Sequence, residues 1–205
     1  MPTELEAVAA EAAGCTRCRL YQSRTQVVFG QGSPHADLMF VGEAPGFHED
    51  RQGVPFVGPS GQLLNRLLEG IGLRRQDVYI CNAIKSRPPN NRDPLPDEIT
   101  ACRPWLDAQI RLVDPRVVVT LGNFAAKTLL ETTTGITRLR GQTYPFQGRV
   151  LLPTFHPAAA LHAQGRRTAG PSPLEAMEGD FRVLAELLAT APAEDDRPSE
   201  QLGLF

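Results

Sequence analysis

Four stretches of the chain are almost continuously apolar: "DLMFVG" at 37–42, "DVYICNA" at 77–83, "RVVVTLG" at 116–122 and "GRVLLPTF" at 148–155. Each is short and each ends in a glycine or polar loop, which marks a buried strand running into a turn. Between them lie stretches of helical character. Residues 4–13 predict an Ala-rich helix, and "SGQLLNRLLEGIG" a helix from an N-cap at Ser60 to a closing glycine. "PDEITACRPWLDAQIRLVDP" predicts another, kinked or broken at Pro104. "NFAAKTLLET" starts at a candidate cap, Asn123, and "PLEAMEGDFRVLAELLAT" closes the series. Strands that alternate with helices, and are apolar throughout rather than at every second residue, call for a parallel sheet covered on both faces. Ligands of such sheets sit at the carboxyl ends of the strands. Here those ends read "GEAPG", "CNAIKSRPPNN", "LGN" and "TFHP".

The 205 residues are 41% apolar and 21% charged, ordinary for a globular chain and enough for one full core. No apolar run approaches the ~20 residues of a bilayer span, and the acidic start "MPTELEAVAAEAAGC" has no basic leader region. A cytoplasmic protein without a membrane partner is expected. The net charge is −2, but residues 191–205 hold four acidic residues against Arg197, a net −3, which leaves the body at about +1. Basic clusters at Lys85/Arg87/Arg92, Arg138/Arg140 and Arg166/Arg167 are compatible with a phosphate backbone as partner, though for any one of them ordinary solvated charge is the stronger reading.

Cys15 and Cys18 form a C-x-x-C pair, and Cys81 and Cys102 complete the count for one four-thiolate metal site. Spacing alone leaves zinc and an iron–sulfur cluster both open. The competing reading is a redox pair beside two unrelated thiols.

"GEAPG", then "GVPFVGPSGQLL", then "CNAIKSRPPNNR", then "TFHPAA" is an order that closely resembles the family-4, iron–sulfur uracil-DNA glycosylases, from about Cys15 to Phe181. The resemblance implies an α/β fold, a three-layer α/β/α sandwich with a central four-stranded parallel sheet, over a single domain at 1–190. It implies excision of uracil from single- or double-stranded DNA by hydrolysis of the N-glycosidic bond, by a monomer. It implies a structural [4Fe–4S] cluster on Cys15, Cys18, Cys81 and Cys102. Adjacent strand residues point to opposite faces, so Cys81 can serve the cluster while Asn82 faces a pocket.

Phe56 matches the family's stacking aromatic, Asn82 its reader of the uracil edge, and His156 its leaving-group histidine. Asn82 offers one donor and one acceptor, the complement of uracil O4 and N3–H. Glu43 is the candidate carboxylate for water or for the cationic sugar, with Gly42–Ala44 supplying backbone contacts and Asn90 or Asn91 an alternative water site. The family-1 aspartate and tyrosine positions fall on Ala44 and Gly46, so thymine exclusion rests elsewhere, with Phe47 a candidate. Leu161 is the candidate wedge that fills the vacated stack. No lysine nucleophile is placed in these motifs, so no lyase activity is expected. A binding protein without catalysis and an unrelated zinc module are the rival readings. The tail at 191–205 is expected to be disordered. Its end, "QLGLF", resembles the peptide by which bacterial proteins dock on the sliding clamp, through Gln201, Leu202, Leu204 and Phe205.

Overall fold

The computed structural model describes residues 3–163 and 170–190. The clamp-docking residues, the expected disordered tail and Arg166/Arg167 lie outside the described residues. Four parallel strands form the heart of the sheet: β2 (Leu38–Gly42), β3 (Tyr79–Asn82), β4 (Val117–Leu121) and β6 (Arg149–Thr154). Two short antiparallel strands, β1 (Gln31–Gly32) and β5 (Tyr144–Phe146), extend the edges, giving six in the order β1-β3-β2-β4-β6-β5. The expected four-stranded parallel sheet is therefore the centre of a six-stranded mixed one.

Side chains leave the strands alternately. Leu38, Phe40, Ile80, Val117, Val119 and Leu152 pack on one face, under α3 (Pro59–Gly70) and α8 (Pro173–Thr190). Met39, Val41, Tyr79, Cys81, Val118 and Leu151 pack on the other, under α4 (Pro96–Val113) and α5 (Asn123–Leu130). The helix α1 (Glu4–Ala13) packs on α4, with a third apolar cluster at its end. This is the α/β/α sandwich.

Local chemistry explains where three elements differ from expectation. The helix α4 runs unbroken through Pro104. Proline removes the bond to the carbonyl four residues back, but Thr100 and Pro104 are both exposed, so water can reach that carbonyl. The helix α3 begins at Pro59, one residue before Ser60, with Gly58 in the capping position. Likewise Gly122 precedes α5, and Asn123 turns its Oδ1 to accept from Ile136 N at 3.1 Å. That bond ties α5 to α6 (Ile136–Leu139).

Candidate functional site

The carboxyl ends of β2, β3 and β6 open into a cleft of about 580 Å³, lined among others by Glu43, Phe47, Glu49, Phe56, Asn82 and His156. Asn82 continues the Ile80 side of β3, opposite Cys81. Its residue is 2% exposed, and among the described residues nothing hydrogen-bonds its Nδ2. Buried amides are rarely left unpaired, because an unmet donor costs about 1–3 kcal/mol. This one stands in the wall of a cleft.

Phe56 faces the same space, its ring centroid 5.7 Å from that of His156. Its backbone holds φ +52°, uncommon for a residue with a Cβ. Three contacts impose that conformation. Arg75 donates to Phe56 O at 3.1 Å and also to Pro55 O. Glu49 Oε1 accepts from Val57 N and Gly58 N, each at 2.9 Å. Gly61 lies so close that a Cβ would meet Phe56 O at 1.8 Å. Gly42 matters in the same way: a Cβ there would meet Asn82 Oδ1 at 2.4 Å and the Phe56 ring at 2.6 Å. The first glycine of "GEAPG" thus lets the ring and the amide converge.

His156 caps the short helix α7 (Pro157–His162), accepting from Ala158 N at 3.1 Å through Nδ1. The ring proton is therefore on Nε2. Burial depresses the His156 pKa to about 4, with the Glu49 charge pulling weakly the other way, so the ring is neutral at physiological pH. It remains a donor through Nε2–H. Glu43 shifts the opposite way: burial, helped by the Asp93 charge, raises its pKa above the usual carboxylate range.

The cleft thus gathers Glu43, Ala44, Phe56, Asn82 and His156, with Gly42 directly behind. Asn91 lines it too, its Oδ1 accepting from Arg87 Nε at 2.7 Å, while Asn90 does not reach the lining described. Phe47 is 48% exposed at the rim, with the Arg87 and Arg51 guanidinium carbons 5.2 and 5.7 Å from its ring centre. Leu161 lies on α7, partly buried against the core below α3 and α8.

The cysteines divide. Cys102 belongs to the cluster at the end of α1, and Cys15 and Cys18 pack against it. Trp105 Nε1 donates to Cys15 Sγ at 3.4 Å, and Lys85 N to Cys102 Sγ at 3.3 Å. N–H donors on sulfur suit thiolates that carry charge on a metal. Cys81 sits in a different cluster, with Met39, Val41, Leu106 and Ile110. Burial pushes its thiol pKa up, with the adjacent Lys85 opposing. Among the described residues no three His, Cys, Asp or Glu side chains are close enough to hold a single ion. Cys15, Cys18 and Cys102 are the side chains that could hold a metal group at the end of α1.

Lys85 was grouped with Arg87 and Arg92 as a basic cluster, and the structure corrects this. It is 2% exposed, its ammonium donating to Asn82 O at 2.5 Å and to Gln109 Oε1, with the Phe29 ring 5.8 Å away. A bare buried ammonium is costly, so these partners hold it inward.

A family model described as the uracil DNA glycosylase superfamily matches residues 29–181. The chain belongs to the uracil-DNA glycosylase superfamily. It is 44% identical over 195 residues to a type-4 uracil-DNA glycosylase of Sulfurisphaera tokodaii, covering 91% of this chain and 86% of that one. Type-4 enzymes of Archaeoglobus fulgidus and Thermotoga maritima are 42% and 45% identical, covering 89% and 77% of this chain and 92% and 83% of theirs.

Within this superfamily member, sequence reasoning missed Glu49 and Arg75. Both act on the Phe56 loop from elsewhere in the chain. For Glu49 the one signal was a second carboxylate six residues beyond Glu43, with nothing to tie it to Phe56. Nothing near Arg75 in the sequence points to Phe56.

Proposed function

We propose that this protein excises uracil from DNA as a monofunctional glycosylase of base excision repair. The unmet Nδ2 of Asn82, buried beside the Phe56–His156 ring pair, is the observation that carries this reading. A base in a duplex must first swing out of its stack, at a cost of a few kcal/mol. The flipped ring stacks on Phe56. Asn82 Nδ2–H donates to uracil O4, and Oδ1 accepts from N3–H. Cytosine offers a donor and an acceptor in the reverse order, so the same amide rejects it. As the glycosidic bond breaks, negative charge gathers on uracil O2. The neutral His156 Nε2–H, fixed by its Nδ1 bond, donates to that oxygen.

The sugar is left with oxocarbenium-like charge. Glu43, once ionised, offsets it and accepts a proton from the attacking water; its raised pKa makes it a better base than an exposed glutamate. Asn91 is the second candidate to hold that water. The backbone of Gly42–Ala44 completes the base contact. Lys127 belongs to α5 and Lys85 is held inward, so neither supplies a nucleophilic amine to the cleft, in keeping with no lyase activity. Leu161 would act as the wedge by leaving its packing on the core.

Cys15, Cys18 and Cys102 would hold a [4Fe–4S] cluster, whose contribution would be structural, bracing the segment after α1 against α4. The protein works in the cytoplasm as a monomer; among the described residues no helix is long and apolar enough to cross a membrane. Gln201, Leu202, Leu204 and Phe205 dock on the sliding clamp; deletion of 201–205 should abolish clamp affinity, and unchanged affinity would remove that assignment.

The deciding experiment is uracil release from an oligonucleotide, read by alkali cleavage of the abasic product, for the wild type, Asn82→Ala and His156→Ala. Release that both variants slow strongly supports the assignment. A folded, iron-loaded wild type that binds uracil-DNA without releasing the base would replace it with recognition alone.

A further inference from the structure

Three cysteines meet at the end of α1, and the fourth cysteine of the chain is not among them. Leu106, Ile110 and Val113, the α4 residues that share Cys81's apolar cluster, lie four, eight and eleven residues beyond Cys102, about 6, 12 and 16 Å along the helix axis. Cys81 therefore packs lower on α4 than the site. Its partner in the sheet is Val41, in the body of the strand pair.

The chain does reach the level of Cys102 again, after β3 has ended. Lys85 N donates to Cys102 Sγ at 3.3 Å, and Lys85 O accepts from Val28 N at 2.8 Å, which pins the loop there. The next residue is Ser86, 4% exposed. Its Oγ accepts from Arg24 Nη1 at 3.2 Å, and Arg24 Nη2 reaches Ala13 O, two residues before Cys15. Ser86 is thus tied by its own side chain to the Cys15–Cys18 segment and by the preceding amide to Cys102. The Glu98 carboxylate near Cys18 is already held by Arg92 and Leu95 N, which leaves the Ser86 hydroxyl as the side chain at this place that can bind a metal once deprotonated.

Resting on the cluster reading above, we propose that Ser86, and not Cys81, is the fourth protein ligand, so that the cluster is held by three thiolates and one serine oxygen. The consequence is chemical. An alkoxide is a harder donor than a thiolate and a poorer match for iron–sulfur iron. One iron of the four is held differently from the other three, and is the first to be lost.

The test is anaerobic reconstitution with ferrous iron and sulfide of the full chain and of Cys81→Val, Ser86→Ala and Ser86→Cys. Iron and acid-labile sulfide per chain are counted, and the rate of iron loss to a chelator is followed. The wild type and Cys81→Val should each bind about four irons and lose them alike. Ser86→Ala should bind one fewer, or lose its first iron at least tenfold faster. Ser86→Cys should hold iron longest and absorb more strongly in the visible. Loss of iron from Cys81→Val with Ser86→Ala unchanged would overturn the assignment, as would equal behaviour of all the variants. A wild type that releases uracil but takes up no iron would overturn the cluster and this ligand together, leaving the glycosylase reading intact. The expected iron pattern without uracil release would leave the ligand standing and refute the glycosylase.

Discussion

The end of β3 presents two buried polar groups, Asn82 and Lys85, three residues apart and treated in opposite ways. The Lys85 ammonium has the carbonyl of Asn82, the side chain of Gln109 and the face of Phe29. The Asn82 amide keeps an unmet donor in the cleft. One group has been satisfied by the fold and the other left for something outside it. A buried polar group with every partner in place braces structure, while one without a partner is a place prepared for a ligand. The two are coupled, because Lys85 holds the backbone carbonyl of the residue that reads the base.

Variants can break this contrast. The largest effect is expected at Asn82 and His156. Asn82→Ala should lower kcat/KM for uracil release by at least about 10²-fold, since a cleft built for hydrogen bonds loses both at once. Its melting temperature should stay within a degree or two, because the donor had no partner to lose. A large fall in stability would show that the amide is structural after all. His156→Ala removes one donor to the leaving oxygen and should cost about 10²–10³ in kcat. Lys85→Met should do the reverse of Asn82→Ala. It strands two buried acceptors and should lower unfolding stability by about 1–3 kcal/mol, with activity falling less than in Asn82→Ala; denaturant titration beside kinetics separates the two.

Phe56→Ala should weaken substrate binding by about 1–3 kcal/mol, seen mainly in KM. The smallest effect concerns pH. His156 titrates at about 4 in the folded protein, below its ordinary value near 6.5. Between those values the unfolded chain binds the proton and the folded chain does not. Stability therefore falls as pH drops from about 6.5 towards 4, and His156→Gln should flatten that part of the curve. The rate of uracil release should show no limb near 6.5 from this residue.

Much of this was readable from the chain. The four central strands are apolar throughout, and that pattern survives any tertiary context in which both faces are covered. The edges were not readable. Gln31 and Gly32 are both exposed, and β5 has only three residues with a proline between two aromatics, too short for a period to show. Ser60 and Asn123 looked like caps, but they are the second and the first residue of their helices, with Gly58 and Gly122 in the capping positions. The positions of Asn82 and His156 were legible because each lies at or just beyond a strand, where the sheet makes the placement predictable, whereas Phe56, in the loop before α3, was legible only through its motif. Glu49 and Arg75 were not, because both act through contacts made only when the Phe56 loop folds back on them.

The cysteines mark the boundary most clearly. Sequence by itself determined that Cys81 and Asn82 face opposite sides of the sheet, since alternation is a property of two neighbouring residues in an extended chain. It also determined the strand ends where a pocket had to open. Only the tertiary structure decided which side chains meet there. The axial position of α4 against β3 separates Cys81 from Cys102, and the loop after β3 returns Ser86 to the Cys102 level. Counting residue types cannot recover that, because it depends on how a helix and a strand distant in sequence are packed along their lengths.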